Sequence, residues 1–339
     1  MKLSYRTRQI LKQAAIVLVI VLLIAALVGA LWFIWLERFV VYTRDQGAIF
    51  DKTLSETFPE GTPSKQKEET QVSIYYNEGE DAINTSSELA QIVGYYADAE
   101  ALEDGVGIVL EQVKALPVST PIMIDVKNPK GGFFYSSSVS TKRDSYIDTA
   151  TMDQLIAYLK DNQYYAIARL PALRDYEYGL NHVPDGLPTA GGYLWADDDY
   201  CYWLNPSSQG TMTYLISIVT ELKALGFDEV VFEDFYFPET DKIVFNGDKE
   251  QAIATAAHTL LTACGTDNFA VSFVGQTPTF PLPEGRSRLY IDGATAAQAE
   301  AIALQTGLTN PAVNLVFLTE IHDTRFNAFG VLRPLDAAH

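Results

Sequence analysis

Residues 212–235 read MTYLISIVTELKALGFDEVVFEDF, and the two halves of this stretch follow different rules. Up to Leu225 the apolar residues recur every three or four positions, the spacing of one helix face. Gly226 interrupts the pattern, as a glycine just past a helix end does. The segment DEVVFEDF (228–235) then carries a short apolar run without alternation, the mark of a strand buried on both faces, and runs into Glu233 and Asp234. A helix that feeds a doubly buried strand ending on acids is the repeating unit of a parallel α/β fold.

The same unit recurs in both directions. Upstream lie the runs IVGYYA (92–97), PIMIDV (121–126) and YYAIARL (164–170). Downstream lie AVSFV (270–274), RLYID (288–292), NLVFLTE (314–320) and FNAFGVL (326–332). Helical patterns over 101–116, 151–160, 248–264 and 294–305 separate most of them, and a long insertion, 171–208, follows the third. Eight such strands in roughly 250 residues predict a (β/α)8 TIM-like barrel. An open doubly wound sheet would carry a glycine-rich phosphate loop after its first strand, and none follows Tyr96. The link 274–288 is proline-rich with no helical pattern, and 320–326 is too short for a helix. The barrel is therefore expected to be irregular at its last strands, with the final one distorted or absent.

Ahead of the barrel, Ala14 to Leu36 carry no charged side chain, and Lys2, Arg6, Arg8 and Lys12 precede them. That length covers the roughly 30 Å hydrocarbon core of a bilayer. The basic flank keeps the N-terminus cytoplasmic. Trp32, Phe33 and Trp35 fall where the outer interface would be. The expected organisation is a cytoplasmic N-terminus (1–13), one transmembrane helix (14–36), a stalk or linker (37–71) and an extracytoplasmic barrel domain (72–339). Within the stalk, 37–50 either continues the helix or opens the linker, and 51–70 is polar with Pro59, Gly61 and Pro63. A signal peptide cleaved near Val28-Gly29-Ala30 is the competing reading; the run that continues through WFIWL favours a retained anchor.

A net charge of −19 excludes nucleic acid as a partner, which needs a basic footprint. It suits a neutral or cationic ligand. Cys201 and Cys264 are too few for a disulfide scaffold or a zinc site, and either a single bridge or two thiols fits. Neither a cofactor nor a metal is expected. The run Asp197-Asp198-Asp199 lacks the alternating ligands of a calcium loop and reads as a solvated turn.

Functional side chains of such barrels stand at the C-terminal ends of the strands. Here those ends carry Asp125 and Lys127, Arg169, Glu233 and Asp234, Asp292 with Tyr290 two residues before it, and Glu320 with His322 beyond. One acid at a strand end is ordinary, since strands run into polar loops. Acids on several strands with an arginine on another are what glycosidic cleavage needs: one carboxylate to attack or activate water, one carboxylic acid to protonate the leaving oxygen. Environment must push their pKa values apart. Glu233 is the expected nucleophile or base, with Glu320 or Asp292 as proton donor. Asp125, Lys127, Arg169, Asp234 and Tyr290 would bind or organise the substrate. The insertion adds Tyr176, Tyr178, Tyr193, Trp195, Tyr200, Tyr202 and Trp203, rings able to stack on sugars or simply to fold the loop down.

Three stretches carry a resemblance. YWLNPSSQGTMTYLISIVTELKALGFDEVVFEDFYFP (202–238), MIDVKNPKGGFFYSSS (123–138) and AIARLPALRD (166–175) together resemble a glycoside hydrolase family of bacterial envelope proteins, whose activity is assigned by analogy. The resemblance implies a TIM barrel acting on polysaccharide or oligosaccharide. Asp125, Lys127 and Arg169 match the family pattern directly. Its fourth-strand aspartate falls on Glu233, the acid that can follow it on Asp234, and its arginine before the proline on Tyr236, which counts among the substrate-binding residues. A carboxylate displaced by about 1 Å can lose about 100-fold in rate. Hence Glu233 sits in an adapted site, or Asp234 has taken the role, or the barrel only binds envelope or capsular glycan without cleaving it. A structural partner of a membrane complex is a third reading, predicting an exposed apolar patch away from the barrel mouth.

Overall fold

The computed structural model describes residues 40–43, 47–50, 89–275, 277 and 280–335. The chain divides into two units, Met1–Glu80 and Asp81–His339. In the first, the strands Val40–Thr43 and Gly47–Phe50 pair antiparallel. A strand pair therefore stands where a continued helix was one of two expectations; VVYT and GAIF are rich in strand-forming residues. The expected membrane span at 14–36 and the domain boundary at 71/72 lie outside the described residues. Among the described residues no helix is long and apolar enough to cross a membrane.

The second unit is a closed parallel barrel of eight strands. They are β1 (Val93–Ala97), β2 (Pro121–Asp125), β3 (Tyr165–Pro171), β4 (Glu229–Glu233), β5 (Ala270–Val274), β6 (Leu289–Asp292), β7 (Leu315–Leu318) and β8 (Gly330–Pro334). Val331 of β8 lies opposite Val93 of β1 and closes the ring. The helices are α1 (Ala99–Ala115), α2 (Thr149–Asp161), α3 (Tyr176–Asn181), α4 (Gln209–Leu225), α5 (Lys249–Cys264), α6 (Ala299–Thr306) and α7 (Pro311–Asn314).

Strand alternation divides the core into two layers. Met123, Ile167, Val231, Tyr290, Val316 and Leu332 fill the barrel interior. Their chain neighbours Ile122, Ile124, Ala166, Ala168, Val230 and Phe232 face outward and pack under the helices. Each of the larger of these, the Val, Ile, Leu, Met and Phe side chains, contributes about 1.5–3 kcal/mol by leaving water. Two glycines are required by geometry. Gly226 adopts φ 97° at the end of α4, so the chain can turn directly into β4. A Cβ on Gly94 would collide with the Pro121 carbonyl, so β1 can approach β2 only without a side chain there.

The last strand corrects the expectation. β8 is regular, pairing in parallel with β7 and β1, and it begins at Gly330 rather than at Phe326, the first residue of FNAFGVL. Residues Thr324–Ala328 form a 3-10 turn, capped by Asp323, in place of a helix. Phe326 and Phe329 from this link pack on Phe317 at 5.1 and 5.4 Å, covering the face a helix would cover.

Candidate active site

Alternation also determines which polar residues meet at the barrel's C-terminal mouth. Asp125 lies two residues after Met123, Arg169 two after Ile167, Glu233 two after Val231 and Asp292 two after Tyr290, so each shares the inward face one step nearer the opening. Asp125 and Arg169 are register partners. Arg169 donates to Asp125 through Nε at 2.6 Å and through a terminal nitrogen at 3.0 Å. The other Asp125 oxygen also accepts from the Ala99 N–H at 2.8 Å, at the start of α1, where the helix dipole favours an anion. The remaining Arg169 nitrogen lies 3.3 Å from Glu233, whose side chain is 34% exposed. Arg169 also stands over the Tyr96 ring, 6.0 Å from its centroid.

Burial raises the Glu233 pKa from 4.5 to about 7; Arg169 opposes this, and Asp125, Asp234 and Asp292 add to it. Burial likewise raises Asp125, against the Arg169 charge and its hydrogen bonds. Burial alone would lower Arg169, but Asp125 and Glu233 outweigh it and keep the guanidinium charged. Tyr96 is pushed up to about 12 by burial and by Asp292, Asp98 and Glu320. Asp292 and Glu320 are exposed, and both act electrostatically on this group, Asp292 on Glu233, Arg169 and Tyr96, Glu320 on Tyr96. His322 is exposed in the loop beyond. The arrangement can hold one carboxyl half protonated near neutrality beside others open to solvent.

Four expected substrate contacts are placed elsewhere. Lys127 does not share the Asp125 surface: its side chain is fully enclosed with that of Asp175, Nζ to Oδ2 2.9 Å, a charge contact without hydrogen-bond alignment. Strand geometry ends at Asp125, so the two-residue alternation no longer applies at Lys127. Tyr290 lies inside the barrel and donates to Glu229 at 3.0 Å, near the opposite end. Trp203 is buried and donates through Nε1 to Asp197 at 3.0 Å. Asp234 has left-handed backbone (φ 49°) and faces Arg174, Asp197 and Lys127 rather than Arg169. Tyr236 and Trp195 are half-buried, each against Trp203, with ring centroids 5.0 and 6.3 Å away.

The aspartate run 197–199 braces the insertion. Arg174 donates to Asp197 and Asp199 at 2.6 Å each, and Asp197 also accepts from the Cys201 N–H at 2.9 Å. Cys201 and Cys264 are both buried free thiols. The segment 133–138 is tied to α4 through Glu221, which accepts from Tyr135 at 2.8 Å and from Ser137 and Ser138 at 2.6 Å. A hollow of about 830 Å³ lies between α3, the start of α4 and the 131–141 loop, and none of the mouth residues lines it. Tyr96 and Asp98 are the mouth residues that a search for charged strand ends misses. The alternation of IVGYYA marks Tyr96, since it shares the inward face with Ile92.

Residues 98–266 match a family model described as "Putative glycosyl hydrolase domain". That segment spans β2 to β4 and contains every motif of the resemblance. No curated protein matches the chain. Among solved structures, a hypothetical protein from Ruminiclostridium thermocellum is 20% identical, over 53% of this chain and 96% of its own, with a TM-score of 0.44. The glycoside hydrolase domain of PelA from Pseudomonas aeruginosa is 11% identical, over 74% and 97%, with a TM-score of 0.45. Aspergillus fumigatus Ega3, solved with galactosamine, is 10% identical over 76% and 97%, also at 0.45. These likenesses are distant, and nothing about substrate follows from them.

Proposed function

We propose that the barrel domain, residues 72–339, is a glycoside hydrolase acting on a polysaccharide, with Glu233 as its proton donor. The observation that carries this reading is the state of Glu233: raised to about 7 by burial, one-third exposed at the mouth, and held by a single contact to Arg169. A general acid works best with a pKa near the operating pH. The raised value moves Glu233 from the nucleophile or base of the sequence reading to the acid. As the bond from the anomeric carbon to the leaving oxygen breaks, Glu233 gives that oxygen its proton. Asp292 is the second carboxylate, with Glu320 as the other candidate. A separation of about 5–5.5 Å between the two carboxyls selects direct attack, and about 6.5–9.5 Å an activated water. Arg169, locked by Asp125, positions Glu233 and returns it to the protonated form less readily than burial alone would.

The test is a screen of the full-length protein against cell-wall and capsular glycans, with Glu233→Gln alongside. Hydrolysis should fall away above about pH 7, where the acid is spent. The variant should bind the same glycan and turn it over roughly 100- to 10,000-fold more slowly, the usual contribution of a general acid. Equal turnover in both proteins removes Glu233 from the mechanism. Retention of a glycan with no turnover by either protein supports a binding barrel instead.

The same reading puts the domain outside the cytoplasm, held by the uncharged run 14–36 behind its basic flank. Protease added to intact spheroplasts should remove the domain and leave an N-terminal fragment in the membrane. Full protection of the domain would reject this placement.

A further inference from the structure

Lys127 and Asp175 take no part in the mouth, and the way they meet is poor for a pair of charges. Both side chains are shut off from solvent, and Nζ lies 2.9 Å from Oδ2. An ammonium carries three donors. This one makes no hydrogen bond, because it approaches the carboxyl off the direction that one requires. The chain on either side is closed to water as well, with Val126, Phe134 and Leu173 all buried. A buried ion pair offsets its desolvation only with good geometry and with its remaining donors satisfied. The Lys127 ammonium has neither.

The carboxyl, by contrast, is firmly held. Oδ1 accepts from the Tyr178 N–H at 2.9 Å, which caps α3, and Oδ2 accepts from the Tyr214 hydroxyl at 2.8 Å. Both donors draw electron density away from Cγ, as donors aimed at a reacting carbonyl do. Gly131 packs against the same group, where a Cβ would come within 2.7 Å of Oδ1. A second carboxyl faces the amine. Asp234 has left-handed backbone (φ 49°), a strained state for a residue with a side chain. Burial raises its pKa and Asp197 adds to this, while Arg174 and Lys127 oppose it. It is placed to take up a proton and give it back.

We propose that Lys127 and Asp175 condense into an isopeptide, a covalent amide that ties the β2–α2 loop to the start of α3, with Asp234 as the proton carrier. The ammonium passes one proton to Asp234, and the freed lone pair of Nζ forms the bond to Cγ. The Cγ–Oδ2 bond breaks, and Oδ2 leaves as water with two of the three ammonium protons, one of them returned by Asp234. The third remains as the amide N–H, and Oδ1 keeps its bond from Tyr178. The two charges cancel, and no oxidant, reductant or further reagent enters. Groups held together by a fold can react with effective molarities of about 10⁵–10⁸ M. Hydrolysis would have to restore two ions in an enclosed place, which disfavours the return. An amide also asks for one acceptor where the ammonium asks for three. Nothing in this step depends on the glycoside hydrolase reading of the mouth.

Peptide mass spectrometry of the full-length protein tests the bond and needs no substrate. Trypsin cuts after free lysine and arginine, so the wild type should yield residues 115–130 joined to 175–223, uncut after Lys127. The joined species should be lighter than its two parts by one water. On denaturing gels the wild type should run ahead of Lys127→Arg, because a chain closed between 127 and 175 cannot extend fully. Lys127→Arg keeps the charge without the reactive amine and should give no joined species. Asp234→Asn cannot carry the proton, and on refolding from denaturant it should form the bond at least about 100-fold more slowly. Lys142→Arg, an exposed change in the same loop, should behave as the wild type. A wild type that releases 115–127 as a separate peptide and 175–223 at full mass overturns the proposal, whether or not the variants fold. Joining that proceeds at the wild-type rate in Asp234→Asn rejects Asp234 as the carrier.

Discussion

The two ends of the barrel interior hold nearly the same groups in opposite conditions. At the N-terminal end Glu229 is sealed from solvent and saturated. One oxygen accepts from Ser272 at 2.5 Å and Tyr290 at 3.0 Å, the other from Tyr165 at 2.9 Å and from Arg288. Arg288 reaches further to the Ala90 carbonyl at 2.9 Å. At the C-terminal end Glu233 has one contact of 3.3 Å to Arg169 and a third of its side chain in solvent. Both ends combine a glutamate, an arginine and a tyrosine. A carboxylate whose lone pairs are all committed has nothing left for a ligand, and it serves the fold. One held by a single cation and raised to about 7 keeps both a proton and open valence for chemistry.

The comparison breaks first on Glu233→Gln and Glu229→Leu, which should fail in different ways. The change at the mouth should cost turnover by roughly 100- to 10,000-fold while leaving thermal unfolding near that of the wild type. The change at the base leaves Arg288 buried without its partner and should cost about 3–5 kcal/mol of stability, read by denaturant unfolding. Loss of turnover in a fully stable Glu229→Leu protein would erase the distinction between the two ends.

A second contrast lies in pH. Glu233 is raised from 4.5 to about 7, so between those values the native state keeps a proton that the unfolded state has released. Stability must then fall as pH rises through that window. Glu233→Gln cannot ionise, and its unfolding temperature should decline less than that of the wild type between about pH 5 and about pH 8. Parallel declines in the two proteins would mean that Glu233 titrates at its ordinary value.

The sequence made the barrel legible because its strands are continuously apolar and its helices periodic, signals set by burial alone. The final strand was less so. In FNAFGVL the phenylalanines look like strand residues, yet Phe326 belongs to a 3-10 turn and packs on Phe317 from outside. Composition does not distinguish a strand from an apolar link that replaces a helix. The mouth was legible in Asp125, Arg169 and Glu233, where strict alternation along regular strands carries each side chain inward. It failed at Lys127 and Tyr290 for separate reasons. Lys127 lies past the last regular strand position, where the chain turns and buries it on Asp175. Tyr290 has the right parity but lies one layer too deep, and parity alone does not measure depth along a strand.

The tyrosines give the finest version of the comparison. Tyr290 donates to Glu229 within a sealed group, so Tyr290→Phe leaves that carboxylate one hydrogen bond short in a place water does not reach. A bond to a charged acceptor is worth about 1.5–3 kcal/mol, and stability should fall by that amount with KM untouched. Tyr96 meets Arg169 through its ring, and its hydroxyl is kept protonated by a pKa pushed up to about 12. Tyr96→Phe retains the ring, so its stability should remain within about 0.5 kcal/mol of the wild type. Any change should appear in the kinetics, since the lost hydroxyl belongs to the open end. If Tyr96→Phe proves as destabilising as Tyr290→Phe with unaltered turnover, the mouth is braced like the base, and its residues are holding the barrel together rather than waiting for a substrate.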